Sequence, residues 1–464
     1  MMRRTIFFAS LAAIALLAAC HSSPGDGVLF DGTDAGRWEA TGEHVVADGI
    51  LSLKGDGATA VLKNGRYKDF ELEMEMRTLP GGKGFVAFHS DKSQTKGYRV
   101  AVNNDRNDPV WWKMTGSLLS VRNLTKSFVR EGDWFTMTVR VSGRAVTIAV
   151  DGRPVVEYIE PSAPCRLSPN EGALLSDGTF ALASEAGEIQ FRRIAVKTFR
   201  TDPAVVQAQL AEAGDEQRDE IIRLHQEDFP VLDYHVHLKG GLTEAEAAQM
   251  SRKLGINYAV APNCGIGFPV TDDAGALAFL DSMRAQPFIL AMQAEGREWV
   301  TTFSQAVRDE FDYVFTDALT FTDDKGRRTR LWMPDETWID DDRQQYMDLI
   351  VDRICEVLKE PADVYVNPCF LPEPMDGQYD AFWTEARMNR FVDALAKSGE
   401  ALEINARYKI PNKAIILKAK EAGVKFTFGT NNGLRDIGKL EYCIRMKKEC
   451  GITAEDMYKP SIKI

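Results

Sequence analysis

The pattern of apolar residues changes once along the chain, and this change restricts the folds open to it. Up to about residue 199, apolar and polar residues alternate in short stretches, for example at residues 70–76 (FELEMEM) and 135–141 (FTMTVRV). A period of two is typical of strands with one buried face. From Phe229 onward, short apolar runs alternate instead with helical stretches. We therefore expect two domains of different fold class within the 464 residues.

The first domain, residues 28–200, is expected to be all-β. Turn signals such as Pro80-Gly81-Gly82 and Asp151-Gly152 separate its strands, and no strong helical pattern interrupts them. Many alternating strands with closely spaced turns indicate an antiparallel sandwich, and the length suits a jelly roll. Residues 201–228, which contain a helical stretch after Pro203, are predicted to form a helical connector.

The second domain, residues 229–464, is expected to be an α/β domain. Its apolar strand candidates lie at residues 231–238, 256–261, 288–292, 313–320, 364–367, 401–405 and 424–429. Helical stretches between them include one with a capping box at Thr243 and one that begins at residues 340–342. Alternating strands and helices predict a parallel sheet, and this length suits a barrel. Seven strands, instead of the usual eight, are a departure from the standard β/α barrel.

Residues 1–19 have the pattern of a lipoprotein signal peptide. Arg3 and Arg4 precede a charge-free apolar run that is too short to span a membrane and ends in the letters LAAC at residues 17–20. Small residues before a cysteine resemble the bacterial lipobox, which implies a lipid on Cys20. Residues 20–27 would then form a tether. The alternative is an ordinary signal peptide with an incidental cysteine.

Charge and the residue after Cys20 add two expectations about partners. The formal net charge is −12, and it is nearer −14 without Arg3 and Arg4. A chain this acidic lacks the footprint of a nucleic-acid-binding protein, so none is expected as a partner. An aspartate directly after the lipidated cysteine usually retains such a protein in the inner membrane, but His21 follows Cys20 here. We therefore expect an exported, lipid-anchored protein in the outer membrane or periplasm of a diderm bacterium.

The first strand of the second domain carries a candidate site. Asp233, His235 and His237 are spaced two residues apart, so they share one face of the strand. Burying two imidazoles and a carboxylate is costly unless they are paired or bind a ligand. Imidazole nitrogens at this spacing can both reach one metal ion. The alternative is a hydrogen-bonded polar pair inside the barrel.

This His-x-His strand resembles the start of polymerase and histidinol phosphatase (PHP) domains. Similar segments follow at residues 255–265, at Glu295, at residues 364–368 and at residues 402–405 and 428–433. The resemblance implies a distorted seven-stranded β/α barrel that binds up to three metal ions and cleaves phosphoesters. It also implies that the strand ends form the site.

Departures from the PHP pattern change the expected chemistry. Asn263-Cys264, Asn367 and Asn431-Asn432-Gly433 stand where this family has metal-binding histidines and aspartates. The remaining candidate metal ligands, which we also predict to be catalytic, are His235, His237 and Glu295. Such a set suits one divalent ion, such as zinc or manganese, but not three. We also expect a polar pocket at the mouth of the barrel, the end where its strands finish. Its predicted substrate-binding residues are Asn367, Glu403, Asn405, Arg407 and Asn431. A decayed barrel without function is the alternative.

The first domain resembles the 3-keto-disaccharide hydrolase family. The resemblance rests on the order of short motifs at residues 30–33, 36–38, 67–72, 115–116, 132–134, 150–152 and 191–194. It implies a concanavalin-like jelly roll that acts on glycosides oxidised at carbon 3, or on related sugars. A keto group acidifies neighbouring protons, so a base can then drive elimination or cleavage.

Departures occur in this half as well. Arg99 stands where the family has the acid of a Gly-Tyr-Glu-x-Gln motif, and His89 falls where an arginine is usual. Aromatic planes with amide and carboxylate groups suit a sugar face. The candidate sugar-binding residues are His89, Arg99, Asn103, Asp105 and Trp111. The alternative is a solvated loop and a buried tryptophan.

Three functions are compatible with the sequence. The first is a surface lipoprotein that acts on carbohydrate, by hydrolysis or elimination of 3-keto-glycosides. The second is a non-catalytic sugar-binding protein with a degenerate barrel, and the third is a metal-dependent phosphoesterase. The sequence leaves open which half is catalytic. Carbohydrate and, through the N-terminal lipid, a membrane are the expected partners.

Overall fold

The computed structural model describes residues 26–339 and 342–463. The predicted signal peptide, the lipidation site Cys20 and most of the tether lie outside the described residues, as do residues 340 and 341 of the predicted helix start. Among the residues described, no helix is both long and apolar enough to cross a membrane.

The first domain is one large, curled antiparallel sheet. Within the described residues it has eleven strands: β1 (Gly27–Phe30), β2 (Trp38–Ala47), β3 (Ile50–Leu62), β4 (Phe70–Thr78), β5 (Lys83–Ser90), β6 (Tyr98–Asn103), β7 (Phe135–Ser142), β8 (Ala145–Val150), β9 (Arg153–Ile159), β10 (Thr179–Ala186) and β11 (Glu188–Thr198). Neighbouring strands follow the order β6-β5-β10-β3-β11-β4-β7-β8-β9, while β1 pairs with β11 and β2 with β3. The jelly-roll-like architecture is confirmed, although the strands form one continuous curled sheet.

Strand β4 shows how the alternating sequence produces this sheet. Its apolar residues Phe70, Leu72, Met74 and Met76 are all buried in the core. The glutamates between them point to the other side and form ion pairs across neighbouring strands: Glu71 with Arg140, Glu73 with Arg193 and Glu75 with Arg192. One face is therefore held by apolar burial, and the other by charge pairs in solvent, which contribute little each.

The second domain is a nearly closed parallel barrel that follows two connector helices, α1 (Pro203–Glu212) and α2 (Glu220–Gln226). Its elements are β12 (Leu232–Val236), α3 (Glu244–Leu254), β13 (Asn257–Val260), β14 (Asn263–Cys264), α4 (Asp273–Met283), β15 (Ile289–Ala294), α5 (Trp299–Thr302), α6 (Gln305–Arg308), β16 (Tyr313–Thr316), β17 (Thr320–Thr322), β18 (Arg328–Arg330), α7 (Arg343–Val357), β19 (Val364–Tyr365), α8 (Tyr379–Phe382), α9 (Glu385–Ser398), β20 (Ala401–Asn405), α10 (Lys413–Glu421), β21 (Phe426–Gly429) and α11 (Glu441–Cys450). The strand order in the barrel is β12-β13-β15-β16-β19-β20-β21, with β14 beside β15 and a separate β17–β18 hairpin.

The gap between the first and last barrel strands is bridged by hydrogen bonds. Thr430, just after β21, donates from its backbone N to Asp233 Oδ1 at 2.9 Å. Asn431 N donates to the His235 carbonyl at 2.9 Å. Because Asp233 also accepts from Thr430 Oγ1 at 2.5 Å, its carboxylate joins β12 to the end of β21. The seven predicted strands are therefore confirmed as one barrel-like sheet.

The jelly roll packs against the end of the barrel where the strands begin. Asn257, the first residue of β13, donates from Nδ2 to the Asn123 carbonyl at 2.9 Å. The buried Lys126 ammonium donates to the carbonyl of Phe288, which precedes β15, at 2.7 Å. Arg122 donates to the Lys253 carbonyl at 2.8 Å. The opposite end of the barrel, where the strands finish, remains clear of these contacts.

Candidate functional site

The two histidines of the first barrel strand lie side by side at the mouth. His235 is on the inward face of β12, and His237 follows directly after the strand. Their ring centroids are 5.1 Å apart, and both side chains are buried. The period of two in β12 accounts for this placement, because it directs alternate side chains to the same face.

His235 has partners for both ring nitrogens. Its Nδ1 lies 2.7 Å from Glu403 Oε1, on β20, and its Nε2 lies 3.3 Å from Gln293 Oε1, on β15. All three side chains are buried. Because hydrogen-bonded burial removes the cost of placing an imidazole in the core, His235 is a fixed part of the floor beneath the mouth.

The asparagines of the mouth form one hydrogen-bonded network around Asn367. Asn367 Nδ2 donates to Asp317 Oδ2 at 2.7 Å, and its backbone N donates to Glu403 Oε2 at 2.7 Å. Its Oδ1 accepts from Asn405 Nδ2 at 3.0 Å and from Asn431 Nδ2 at 2.8 Å. Asn367 adopts a left-handed backbone with φ of 49°, a conformation that asparagine tolerates better than most residues. These amides are therefore ordered by one another.

Glu295 is a buried carboxyl group with one oxygen left over. Its Oε1 accepts from Asn263 Nδ2 at 2.8 Å, while its Oε2 has no hydrogen-bond partner. Burial, together with the negative charge of Asp317, raises the pKa of Glu295 to about 8. Burial also raises the pKa of Asp317. At neutral pH, Glu295 therefore holds a proton that it can donate.

His237 is the complementary group, a neutral imidazole with a free lone pair. Its Nδ1 lies 2.8 Å from the Ala261 carbonyl, which can only accept, so Nδ1 carries the proton. Its Nε2 is buried without a partner. Burial, the neighbouring His235 and the positive charges of Lys239 and Arg407 hold the pKa of His237 well below its usual value. The Nε2 atom is therefore available as a base.

Both unpartnered atoms belong to residues that line the same cavity, which we call the mouth cavity. Its volume is about 290 Å³. Of the residues predicted from the sequence, it is lined by His237, Glu295, Asn367, Arg407 and Asn431, whereas His235, Glu403 and Asn405 lie beneath its walls. The remaining walls are formed by Lys239, Asn263, Phe268, Pro269, Gln293, Asp317, Leu319, Trp332 and Tyr408.

Several polar or aromatic members of these walls were missed by sequence reasoning, among them Asp317, Gln293, Lys239 and Tyr408. Asp317 follows the end of β16, so the rule that chemistry gathers at strand ends could have identified it. Gln293 and Lys239 lie two residues from Glu295 and His237, at the spacing that shares a strand face. Tyr408 had no such signal, because it lies in the turn after β20.

The donors at the mouth do not form a three-ligand metal set in this arrangement. Both ring nitrogens of His235 already have hydrogen-bond partners, which leaves only His237 Nε2 and Glu295 Oε2 free. Among the residues described, no group of three or more His, Cys, Asp or Glu side chains is placed to hold a metal ion. One divalent ion at His235, His237 and Glu295 stays a prediction, and we derive no chemical step from it.

The jelly-roll candidates His89 and Arg99 have separate partners. His89 Nε2 lies 2.9 Å from the Lys68 carbonyl, and its Nδ1 accepts from Ser176 N at 3.2 Å. Burial lowers the pKa of His89. Arg99 is exposed and lies over the Phe85 ring at 4.5 Å. His89 is therefore occupied by the backbone, and only Arg99 faces solvent.

The remaining jelly-roll candidates are held in the loop that meets the barrel. The buried Asn103 donates from Nδ2 to Asp108 Oδ2 at 2.9 Å, and its Oδ1 accepts from Asp105 N at 3.0 Å. Trp111 is 4% exposed and belongs to the apolar cluster of the barrel. This placement differs from an open stacking surface for a sugar, because the barrel covers the indole.

The position of the missing jelly-roll acid lies on an apolar face of the sheet. Arg99 pairs with Ala87 on β5, which in turn pairs with Ala181 on β10. Phe85, Ala87, Ala181 and Ala183 form a small apolar cluster there.

Comparison with known proteins identifies the first domain as carbohydrate-related. Residues 25–197 match the family model described as the 3-keto-alpha-glucoside-1,2-lyase-like domain. The resemblance of this half to 3-keto-disaccharide hydrolases is therefore confirmed. Among curated proteins, no sequence matches this chain. The resemblance of the barrel to PHP domains stays a prediction.

Solved structures resemble part of the chain. A candidate glycosyl hydrolase from Parabacteroides distasonis is 17% identical, with a TM-score of 0.34, over 38% of this chain and 94% of its own. The carbohydrate-binding module CBM66 from Bacillus subtilis is 16% identical, with a TM-score of 0.27, over 35% of this chain and 96% of its own.

Proposed function

We propose that this protein is an enzyme that acts on glycosides oxidised at carbon 3, and that the reaction takes place in the mouth cavity of the barrel. The family match of residues 25–197 supports the substrate class. The observation that carries the location is the pair of buried, unpartnered atoms, His237 Nε2 and Glu295 Oε2, on residues that line one cavity. Such atoms are costly unless a ligand satisfies them.

The proposed step is an elimination. His237 Nε2 removes the proton from carbon 2, which the keto group at carbon 3 makes acidic. The electron pair of that bond forms a double bond between carbons 1 and 2, and the bond from carbon 1 to the glycosidic oxygen breaks. The Glu295 carboxyl donates its proton to that leaving oxygen. The products are an alcohol and an unsaturated keto-sugar, so atoms and charge balance.

The surrounding charges support the roles of His237 as the base and Glu295 as the acid. Lys239 and Arg407 line the cavity and can stabilise negative charge that develops on the keto oxygen. The same cations favour a neutral His237, whereas the negative charge of Asp317 favours a protonated Glu295. The buried network of Asn367, Glu403 and His235 fixes the walls, so the two groups are positioned before the substrate arrives.

In this proposal the jelly roll is a non-catalytic partner of the barrel. The apolar face at Arg99 and the saturated His89 favour this role. The same observations favour a second candidate function, in which the whole protein binds a keto-sugar without converting it. The two differ in turnover, since binding alone leaves the glycoside intact.

Mass spectrometry of incubations distinguishes these functions. The full chain is incubated with methyl glucosides and with their 3-keto derivatives, with and without a chelator. Elimination gives the unsaturated keto-sugar, whereas hydrolysis gives a product one water heavier. We expect the elimination product, in an amount that the chelator does not change. If the 3-keto-glucoside stays unconverted, the proposed enzymatic activity is contradicted. Complete loss of turnover with the chelator would instead support the predicted metal ion.

We also propose that the protein is exported and anchored by a lipid on Cys20. The support is the charge-free run that ends in LAAC at residues 17–20. Replacement Cys20→Ser is expected to release the protein from the membrane fraction of a diderm host. Unchanged membrane fractionation of the variant would contradict the anchor.

A further inference from the structure

A second cavity adjoins the mouth cavity and is open to solvent; we call it the outer cavity. Its volume is about 730 Å³, and it shares Trp332, Arg407 and Tyr408 with the mouth cavity. Cavities for drug-sized ligands span about 300–1,000 Å³, so the mouth cavity, at about 290 Å³, suits one small ring. A glycoside with its sugar in the mouth would therefore extend its leaving group past the three shared side chains.

The walls of the outer cavity combine aromatic and other apolar side chains with charged ones. The rings of Phe370 and Tyr408 lie edge to face with centroids 5.0 Å apart, which fixes the Tyr408 ring between the two cavities. Trp332 is 37% exposed, a large fraction for an indole on a cavity wall. Apolar side chains of Leu331, Leu371 and Ile410 complete this lining.

Charge at the outer cavity argues against an anionic leaving group. The cations Arg407 and Lys409 are accompanied by Glu373, Asp376 and Asp380 on the same lining. A phosphate or carboxylate would meet these carboxylates. The hydroxyl groups of a sugar would find no partners on the apolar side chains of Leu331, Leu371 and Ile410. A flat aromatic ring suits both the indole face and the apolar walls.

We infer that the outer cavity binds an aromatic aglycone, so that the preferred substrates are aryl glycosides oxidised at carbon 3. This inference rests on the proposed function for the position of the sugar, but the outer cavity itself can be tested without it. Trp332 acts here as the stacking surface for the leaving group, and Arg407 and Tyr408 lie at the junction.

The test is calorimetric titration of the full chain with four probes. They are methyl and phenyl 3-keto-glucosides, a 3-keto-disaccharide of glucose, and 4-nitrophenol alone. We expect the phenyl glycoside to bind about tenfold more tightly than the methyl glycoside, as one aromatic stacking contact permits. Trp332→Ala should remove this difference between the phenyl and the methyl glycoside. Trp338→Ala is the matched control, because Trp338 is 40% exposed and lines neither cavity.

Failure of this inference can be separated from failure of the proposed function. Equal affinities for the methyl and phenyl glycosides, or tighter binding of the disaccharide, would overturn the aromatic aglycone site. If no keto-glycoside binds, the proposed function fails. In that case, binding of 4-nitrophenol that Trp332→Ala abolishes would still support the aromatic site, and absence of that binding would overturn it.

Discussion

The jelly roll and the barrel differ in whether the polar side chains of their candidate sugar sites all have hydrogen-bond partners. In the jelly roll, both ring nitrogens of His89 are bonded to backbone, and the amide of Asn103 is bonded within its own loop. In the barrel, His237 Nε2 and Glu295 Oε2 are left without partners, on residues that line a cavity. Saturated polar groups stabilise a fold, whereas unsatisfied ones at a cavity are candidates for chemistry.

This comparison also separates substrate class from reaction site. The family match lies in the jelly roll, yet Arg99 stands there at a position where the resemblance to that family predicts an acid. The groups that can exchange protons lie at the far end of the barrel, away from the interface formed by Arg122, Lys126 and Asn257. A domain match therefore need not identify the catalytic half of a two-domain chain.

The largest expected effect is loss of the base at the barrel mouth. His237→Gln keeps a polar side chain but removes the imidazole lone pair, and we expect kcat to fall by at least about 100-fold. The matched change in the jelly roll, His89→Gln, should lower the melting temperature and leave kcat within about twofold, since His89 only bonds backbone. Similar kcat losses in both variants would remove the distinction between the two regions.

The second effect is on stability and concerns Trp111. Because its indole is buried between the domains, Trp111→Ala should lower the free energy of unfolding by about 3–5 kcal/mol, the usual cost of such a cavity. Urea denaturation measures this change. The affinity for a 3-keto-glucoside should not change in the folded variant. A weakened affinity with undiminished stability would restore Trp111 as a sugar-stacking residue.

The third effect is a shift in the pH dependence of turnover. Since Glu295 must be protonated to act as the acid, and its pKa is raised to about 8, kcat should fall as the pH rises above about 8. Asp317→Asn removes a negative charge that contributes to this raised pKa. We therefore expect the alkaline limit of the kcat profile to move down by roughly one pH unit. An unmoved limit would show that Glu295 is not the acid.

The fourth effect is a gain in stability from removing that acid. A carboxyl whose pKa is 4.5 in the unfolded chain and about 8 in the folded chain reduces stability progressively as the pH rises between those values. Glu295→Gln should therefore match the wild type in melting temperature near pH 4.5 and exceed it increasingly up to about pH 8. A variant that is less stable at pH 8 would contradict a protonated, partly unsatisfied carboxyl.

The features that the sequence predicts correctly are those set by the pattern of residues close together in the chain. Strand periodicity located the barrel strands, and the convergence of strand ends brought His237 and Glu295 to one cavity. Asp317 was missed because it lies one residue beyond its strand, although the same rule applies to it.

Contacts between the domains were not predictable in this way. Trp111 and Lys126 lie in a loop whose sequence looks solvated, and only the docking of that loop on the barrel buries them. Nothing in the local sequence encodes which distant surface covers a side chain. The left-handed Asn367 likewise owes its central place in the network to Asp317, Asn405 and Asn431, which lie at or just beyond the ends of three different strands.

The central claim is that proton abstraction takes place at the barrel mouth and not in the jelly roll. The most direct measurement is nuclear magnetic resonance of a methyl 3-keto-glucoside incubated in deuterium oxide with the wild type, His237→Gln and Arg99→Ala. We predict loss of the carbon-2 proton, by exchange or elimination, with the wild type and with Arg99→Ala, and no enzyme-dependent loss with His237→Gln. Undiminished loss with His237→Gln and none with Arg99→Ala would contradict the account and place the chemistry in the jelly roll.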